Sequence, residues 1–209
     1  MKTNLSLAKL LYTMMVGIPL LFPTLAKAQN ELPTADDLRG QPNEAEQQRL
    51  DQKKSRQTAF RQGIQLYKTQ NYGAAEAIFR QLIAVEPKEA KYHFYLGNSL
   101  FYQRKIEEAT QEYQEAIRLN SKYALAYNAL GFLKASQGQW DEAISHYQKA
   151  LEINADYAEA LKNLGEALWK KGDTTEAKKA WEKALTLYTQ QGNNKAAQQI
   201  QEVLNRTAQ

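Results

Sequence analysis

The sequence predicts an all-α fold: an α-solenoid of four helix-turn-helix repeats closed by a C-terminal capping helix. Three observations lead there. Gly63, Gly97, Gly131 and Gly165 stand 34 residues apart in a chain of 209, and the residues around each recur with it. A constant period of that length marks one supersecondary unit stacked on itself. Apolar residues recur at three- and four-residue intervals, which is helical spacing. Turn-prone pairs then divide the units: Gln70-Asn71, Gly138-Gln139 and Gly172-Asp173, with Arg104-Lys105 the exception.

In chain order, residues 1–28 come first and differ from the rest. Lys2 and Lys9 precede a charge-free run over residues 10–26, which ends in Ala26-Lys27-Ala28. A basic start, a short apolar stretch and a small-x-small terminus describe a secretory signal peptide cut after Ala28. The alternative is an uncleaved membrane anchor, although the run carries Pro19 and Pro23 and is short of the ~20 residues that span a bilayer. The chain has no cysteine, which excludes lipid attachment at a cut site and leaves the repeats without disulfide staples. Export is therefore expected, to a bacterial periplasm or a thylakoid lumen.

Residues 29–55 read as a polar linker running into the start of a helix. Pro33, Gly40 and Pro42 punctuate its first part, and Asn43 followed by Glu46 has the spacing of a capping box. Four units follow over 56–89, 90–123, 124–157 and 158–191. Numbered from their starts, position 8 is glycine and position 20 is alanine in all four (Ala75, Ala109, Ala143, Ala177). Position 24 is aromatic (Phe79, Tyr113, Tyr147, Trp181), and position 27 is Leu82, Ala116, Ala150 or Ala184. Small residues at 8 and 20 let the paired helices approach closely, and the aromatic is expected to fill space against the next unit. Glycine inside a helix costs roughly 1 kcal/mol against alanine, so four in register imply a steric need. After Gly192-Asn193-Asn194, residues 192–209 form a capping helix and tail, with Ala196, Ile200, Val203 and Leu204 on one face.

These residues resemble the tetratricopeptide repeat family, whose units are 34-residue helical hairpins. The likeness covers residues 56–191. Its departures are Ala59 and Gln62 in the first unit, where a large residue and leucine are usual, and the family's proline at position 32, present only as Pro87.

Chemistry for an enzyme is sparse. There are two histidines: His93 falls at a packing position, and His146 is expected to face solvent. No metal-ligand spacing, phosphate loop or nucleophile motif occurs, so no catalytic residue, metal or cofactor is expected. The pairs Glu107-Glu108 and Asp141-Glu142 begin second helices, where they favour the helix dipole. The net charge of +4 is misleading: Lys2, Lys9 and Lys27 lie in the leader, leaving 24 basic against 23 acidic groups. A near-neutral chain offers no electrostatic case for nucleic acid.

The resemblance implies a non-enzymatic scaffold or adaptor that binds a peptide segment of another protein, helping to assemble an envelope or lumenal complex. It places positions 2, 5, 9, 12 and 13 of each unit on a concave wall. The resulting candidates are Phe94, Asn98, Phe101, Asn128, Phe132, Lys162, Glu166 and Trp169, with Tyr67, Tyr102, Glu159 and Lys170 beside them. Phe101 and Trp169 stand equally well as packing residues. The lysine, arginine and asparagine set by which some family members clamp a chaperone's C-terminal carboxylate is not reproduced, since Glu159 stands where lysine is wanted. Lys162 and Lys170 would attract an acidic segment, and Glu159 and Glu166 oppose them. No small-molecule substrate is expected. The alternatives are a self-associating structural protein, forming a homo-oligomer, and an accessory subunit of an enzyme complex.

Overall fold

The computed structural model describes residues 43–207, so the leader and most of the linker lie outside the described residues. The chain divides into two units, 1–49 and 50–209. In the first, the Asn43 Oδ1 accepts the Glu46 N–H at 2.9 Å and opens helix α1, as the capping spacing predicts. That helix, Glu44–Lys68, continues into the second unit.

The second unit is an α-solenoid. After α1 come α2 (Tyr72–Val85), α3 (Ala90–Tyr102), α4 (Ile106–Leu119) and α5 (Ala124–Ser136). Then follow α6 (Trp140–Ile153), α7 (Ala158–Lys171), α8 (Thr174–Gln190) and α9 (Asn194–Thr207). No strand occurs among the described residues. From α2 onward each helix packs against the next in sequence, and α3, α5 and α7 also touch in succession. Those three therefore share one face of the stack.

The repeating core is a ring seated on a glycine. A Cβ built on Gly63, Gly97 or Gly131 would lie 2.8, 2.7 or 2.8 Å from the ring of Phe79, Tyr113 or Tyr147, and on Gly165 only 2.5 Å from Trp181. Each aromatic thus presses on the glycine of its own hairpin, a contact the sequence reading did not foresee, and Phe79 also stacks on Tyr95 of the next unit at 5.6 Å, as expected. The position-20 alanines are fully buried for the same reason: the second helix meets the first there with no room for a longer side chain.

The four hairpin turns share one backbone state. Position 15 has positive φ in every unit: Gln70 at 62°, Arg104 at 67°, Gly138 at 75° and Gly172 at 95°. Arg104-Lys105, the odd pair in sequence, folds as the others do, with a side chain held in a region that favours glycine. Asn71, Asp173 and Asn193 cap the following helices by accepting the N–H groups of Ala74, Glu176 and Ala196.

Polar ties join successive hairpins. Glu76 accepts from Arg80, Lys105 and Gln103, each at 2.8 Å, and Arg80 also reaches Glu108 at 2.7 Å. Burial raises the Glu76 pKa, but the hydrogen bonds from Lys105, Arg80 and Gln103 outweigh it and bring it to about 2. Lys171 pairs with Asp141 of the preceding hairpin, whereas Lys134 pairs with Glu142 inside its own at 2.7 Å.

The histidines refine the sequence reading. His93 is buried, yet its Nδ1 lies 2.7 Å from Glu112 Oε2 and its Nε2 3.0 Å from the Pro87 carbonyl. Only the doubly protonated ring donates to both. Burial lowers its pKa, and those two acceptors more than reverse the effect, so it stands above the ordinary value. His146 is half-buried beside Tyr127 rather than facing solvent; burial and Lys134 lower its pKa.

Candidate functional site

The shared face of α3, α5 and α7 is hollowed by a cavity of about 350 Å³. Five of the eight candidate residues line it: Phe94, Asn98, Phe101, Asn128 and Phe132. Helical spacing brings them there. Phe94, Asn98 and Phe101 lie three or four residues apart on α3, and Asn128 and Phe132 four apart on α5, so each set forms one stripe.

The rings on this wall are not equivalent. Phe132 and Tyr102 are 46% and 50% exposed, whereas Phe94 is 8% exposed. Phe94 packs edge-on against Tyr95 at 5.1 Å and Tyr123 at 5.3 Å, so its main work is in the core beneath the wall. Phe101 bridges the two roles, half-buried with its edge toward Phe132 at 5.6 Å. Tyr102 stacks on Tyr72 at 4.9 Å, with Tyr67 against both rings. The result is a continuous aromatic shelf.

The amides are held in place by buried partners. Tyr113 donates its hydroxyl to Asn98 Oδ1 at 2.8 Å, and Asn163 Nδ2 donates to Asn128 Oδ1 at 3.1 Å. Burial pushes the hydroxyls of Tyr67, Tyr113 and Tyr157 well above the usual phenol range, so they remain neutral. With its oxygen engaged, Asn98 keeps its N–H groups for a carbonyl entering the cavity.

Sequence reasoning missed Tyr113, Tyr157 and Asn163 as part of this wall. Tyrosine at position 34 in two successive units, Tyr123 and Tyr157, is a signal that would have found one of them. Asn163 has none, since position 6 holds Arg61, Tyr95 and Ala129 in the other units.

The other three candidates do not join this cavity. Lys162, Glu166 and Trp169 line a second one of about 350 Å³, between α7 and α9, with Trp181, Ile200 and Arg206. Trp169 is half-buried and packs against Trp181 at 5.8 Å. A single eight-residue groove thus gives way to two hollows. Glu159 belongs to the first. Among the described residues no cluster of histidine, cysteine, aspartate or glutamate stands where it could hold a metal, and no helix is long and apolar enough to cross a membrane.

Stacked two-helix units whose contact is a ring on a glycine, with a hollow between first helices, define a helical-repeat interaction scaffold. Family models described as tetratricopeptide repeat and TPR repeat match residues 122–190 and 97–137, and over that stretch the chain is built of tetratricopeptide repeats. The solved structure of MamA is similar at 28% identity and a TM-score of 0.59, over 66% of this chain and 81% of MamA. PilF of Pseudomonas aeruginosa shares the fold at 18% identity and a TM-score of 0.60, over 74% of this chain and 77% of that one. No curated protein matches in sequence. Proteins of this family are generally non-enzymatic and bind other proteins.

Proposed function

We propose that the chain is an exported adaptor that holds an extended peptide segment of another protein in the cavity of α3, α5 and α7. Its work would be the assembly of an envelope or lumenal complex. One observation carries the binding reading: Phe132 and Tyr102 stand half-exposed beside Asn98, whose oxygen is already engaged by a buried tyrosine. Large rings offer contact area at little conformational cost, and a fixed amide bonds the backbone of an extended segment. The leader-like pattern of residues 1–28 supports export.

Crosslinking of the tagged protein in its host, followed by identification of what it holds, supplies the partner. Tyr102→Ala with Phe132→Ala and Asn98→Ala should then abolish capture while circular dichroism stays helical. Undiminished capture by that variant would overturn the groove reading. Phe94 is unsuited to this test, because its removal hollows the core.

A further inference from the structure

The second cavity has a lining chemistry of its own. Its floor is apolar: Trp169 of α7, Trp181 of α8, and Ile200 and Val203 of α9. Its rim carries Lys162 and Lys170 from α7 and Arg206 from α9, against the single carboxylate of Glu166. In sequence Glu159 and Glu166 balance the two lysines. In the fold Glu159 pairs with Lys162 at 4.0 Å, while α9 adds Arg206, a cation that position numbering within the repeats does not foresee. Lys170 and Arg206 make no ion pair among the described residues, so their charge is unspent.

From this arrangement we infer that the hollow between α7 and α9 binds an acidic peptide segment anchored by one large apolar side chain. The volume is near the lower end of small ligand sites, about 300 Å³, and its apolar floor takes one large side chain of a segment that lies across it. Carboxylates flanking that anchor meet Lys170 and Arg206, and a basic segment is repelled there. The site stands apart from the groove of α3 and α5 and does not depend on that reading.

The probe is a fluorescein-labelled peptide, Asp-Glu-Phe-Glu-Asp, titrated with the full chain and followed by anisotropy. Saturable binding is expected, weakening as salt screens the rim. Lys170→Glu with Arg206→Glu, two exposed positions outside the core, should weaken it about tenfold or more, since reversal replaces two attractions with two repulsions. A peptide with lysine in place of each acid, and one with serine in place of phenylalanine, should each bind about tenfold more weakly. Tyr102→Ala with Phe132→Ala should leave the titration unchanged. Absence of saturation by roughly 1 mM, a weak-binding limit near −4 kcal/mol, overturns the inference. Equal binding by the charge-reversed variant or of the lysine peptide also overturns it, as does loss of binding in the groove variant.

Discussion

Replacing Gly165 with alanine adds one methyl group at a place where the indole of Trp181 already lies against the helix. The new Cβ would stand 2.5 Å from the ring's Cδ1 and Nε1 and 2.9 Å from Cε2, distances at which something must shift. The ring is poorly placed to yield. Trp181 is 4% exposed, and its Nε1–H donates to the Lys162 carbonyl at 3.2 Å. Overpacking of this kind costs about 1–3 kcal/mol. Moving the indole off its acceptor adds about 0.5–1.5 kcal/mol. Against these, alanine is the better helix former by about 1 kcal/mol. The balance is a loss of about 1–3 kcal/mol, or a fall in melting temperature of about 2–10 °C for a chain of this size. Circular dichroism melts of the wild type and Gly165→Ala measure it. Gly73→Ala is the matched control: that glycine lies in the first turn of α2 with nothing within 4 Å of a built Cβ. There the same substitution should raise stability by up to about 1 kcal/mol. A Gly165→Ala protein that melts at or above the wild-type temperature would refute the ring-on-glycine account of the repeat.

The turns, the inter-repeat carboxylate and the buried histidine give further tests. Arg104→Gly relieves a non-glycine residue at positive φ, which costs about 1–2 kcal/mol, against about 0.4–1 kcal/mol of added unfolded-chain entropy, so the unfolding free energy should rise by up to about 1 kcal/mol; a fall in it would mean the turn stores no strain. Glu76 has its folded pKa depressed to about 2, so its stabilisation is present above the ordinary carboxylate value and lost as pH falls from about 4.5 toward 2. Wild type and Glu76→Gln should therefore differ most in melting temperature near neutral pH and converge over that acid window. His93 has a raised folded pKa, so its contribution is full below its ordinary value near 6.5 and declines as pH rises through the folded value. Glu112→Gln should flatten that decline and lower the imidazole pKa in an NMR titration. An unmoved titration would show that the 2.7 Å contact does not hold the proton.

Much of the fold was legible in the chain because size alone settles it. Glycine at position 8, alanine at 20 and a ring at 24 recur together, and a helical hairpin with that pattern must bury its ring against a neighbouring helix. The ring's address was not legible: periodicity says that Tyr147 is large and Gly131 small, but only packing shows that the two meet within one hairpin. The turn at Arg104 was likewise hidden, because its sequence lacks glycine while its neighbours in the stack impose the same backbone state.

For the candidate site, helical spacing sets Phe94, Asn98 and Phe101 on one stripe and Asn128 and Phe132 on another, since four residues nearly complete a turn, and the family resemblance turned those stripes to the concave wall. Tertiary structure decided which stripes share a hollow. The stack sets α3 beside α5, so their stripes converge; α7 turns the later part of its stripe toward α9, carrying Trp169 and Lys170 to Arg206 instead. It also decided which rings remain available. Phe94 and Phe132 are the same residue type, yet one is clasped by Tyr95 and Tyr123 and the other meets solvent. Local spacing determines the face a side chain shares; what covers that face depends on residues far away in the chain, and no single repeat carries that information.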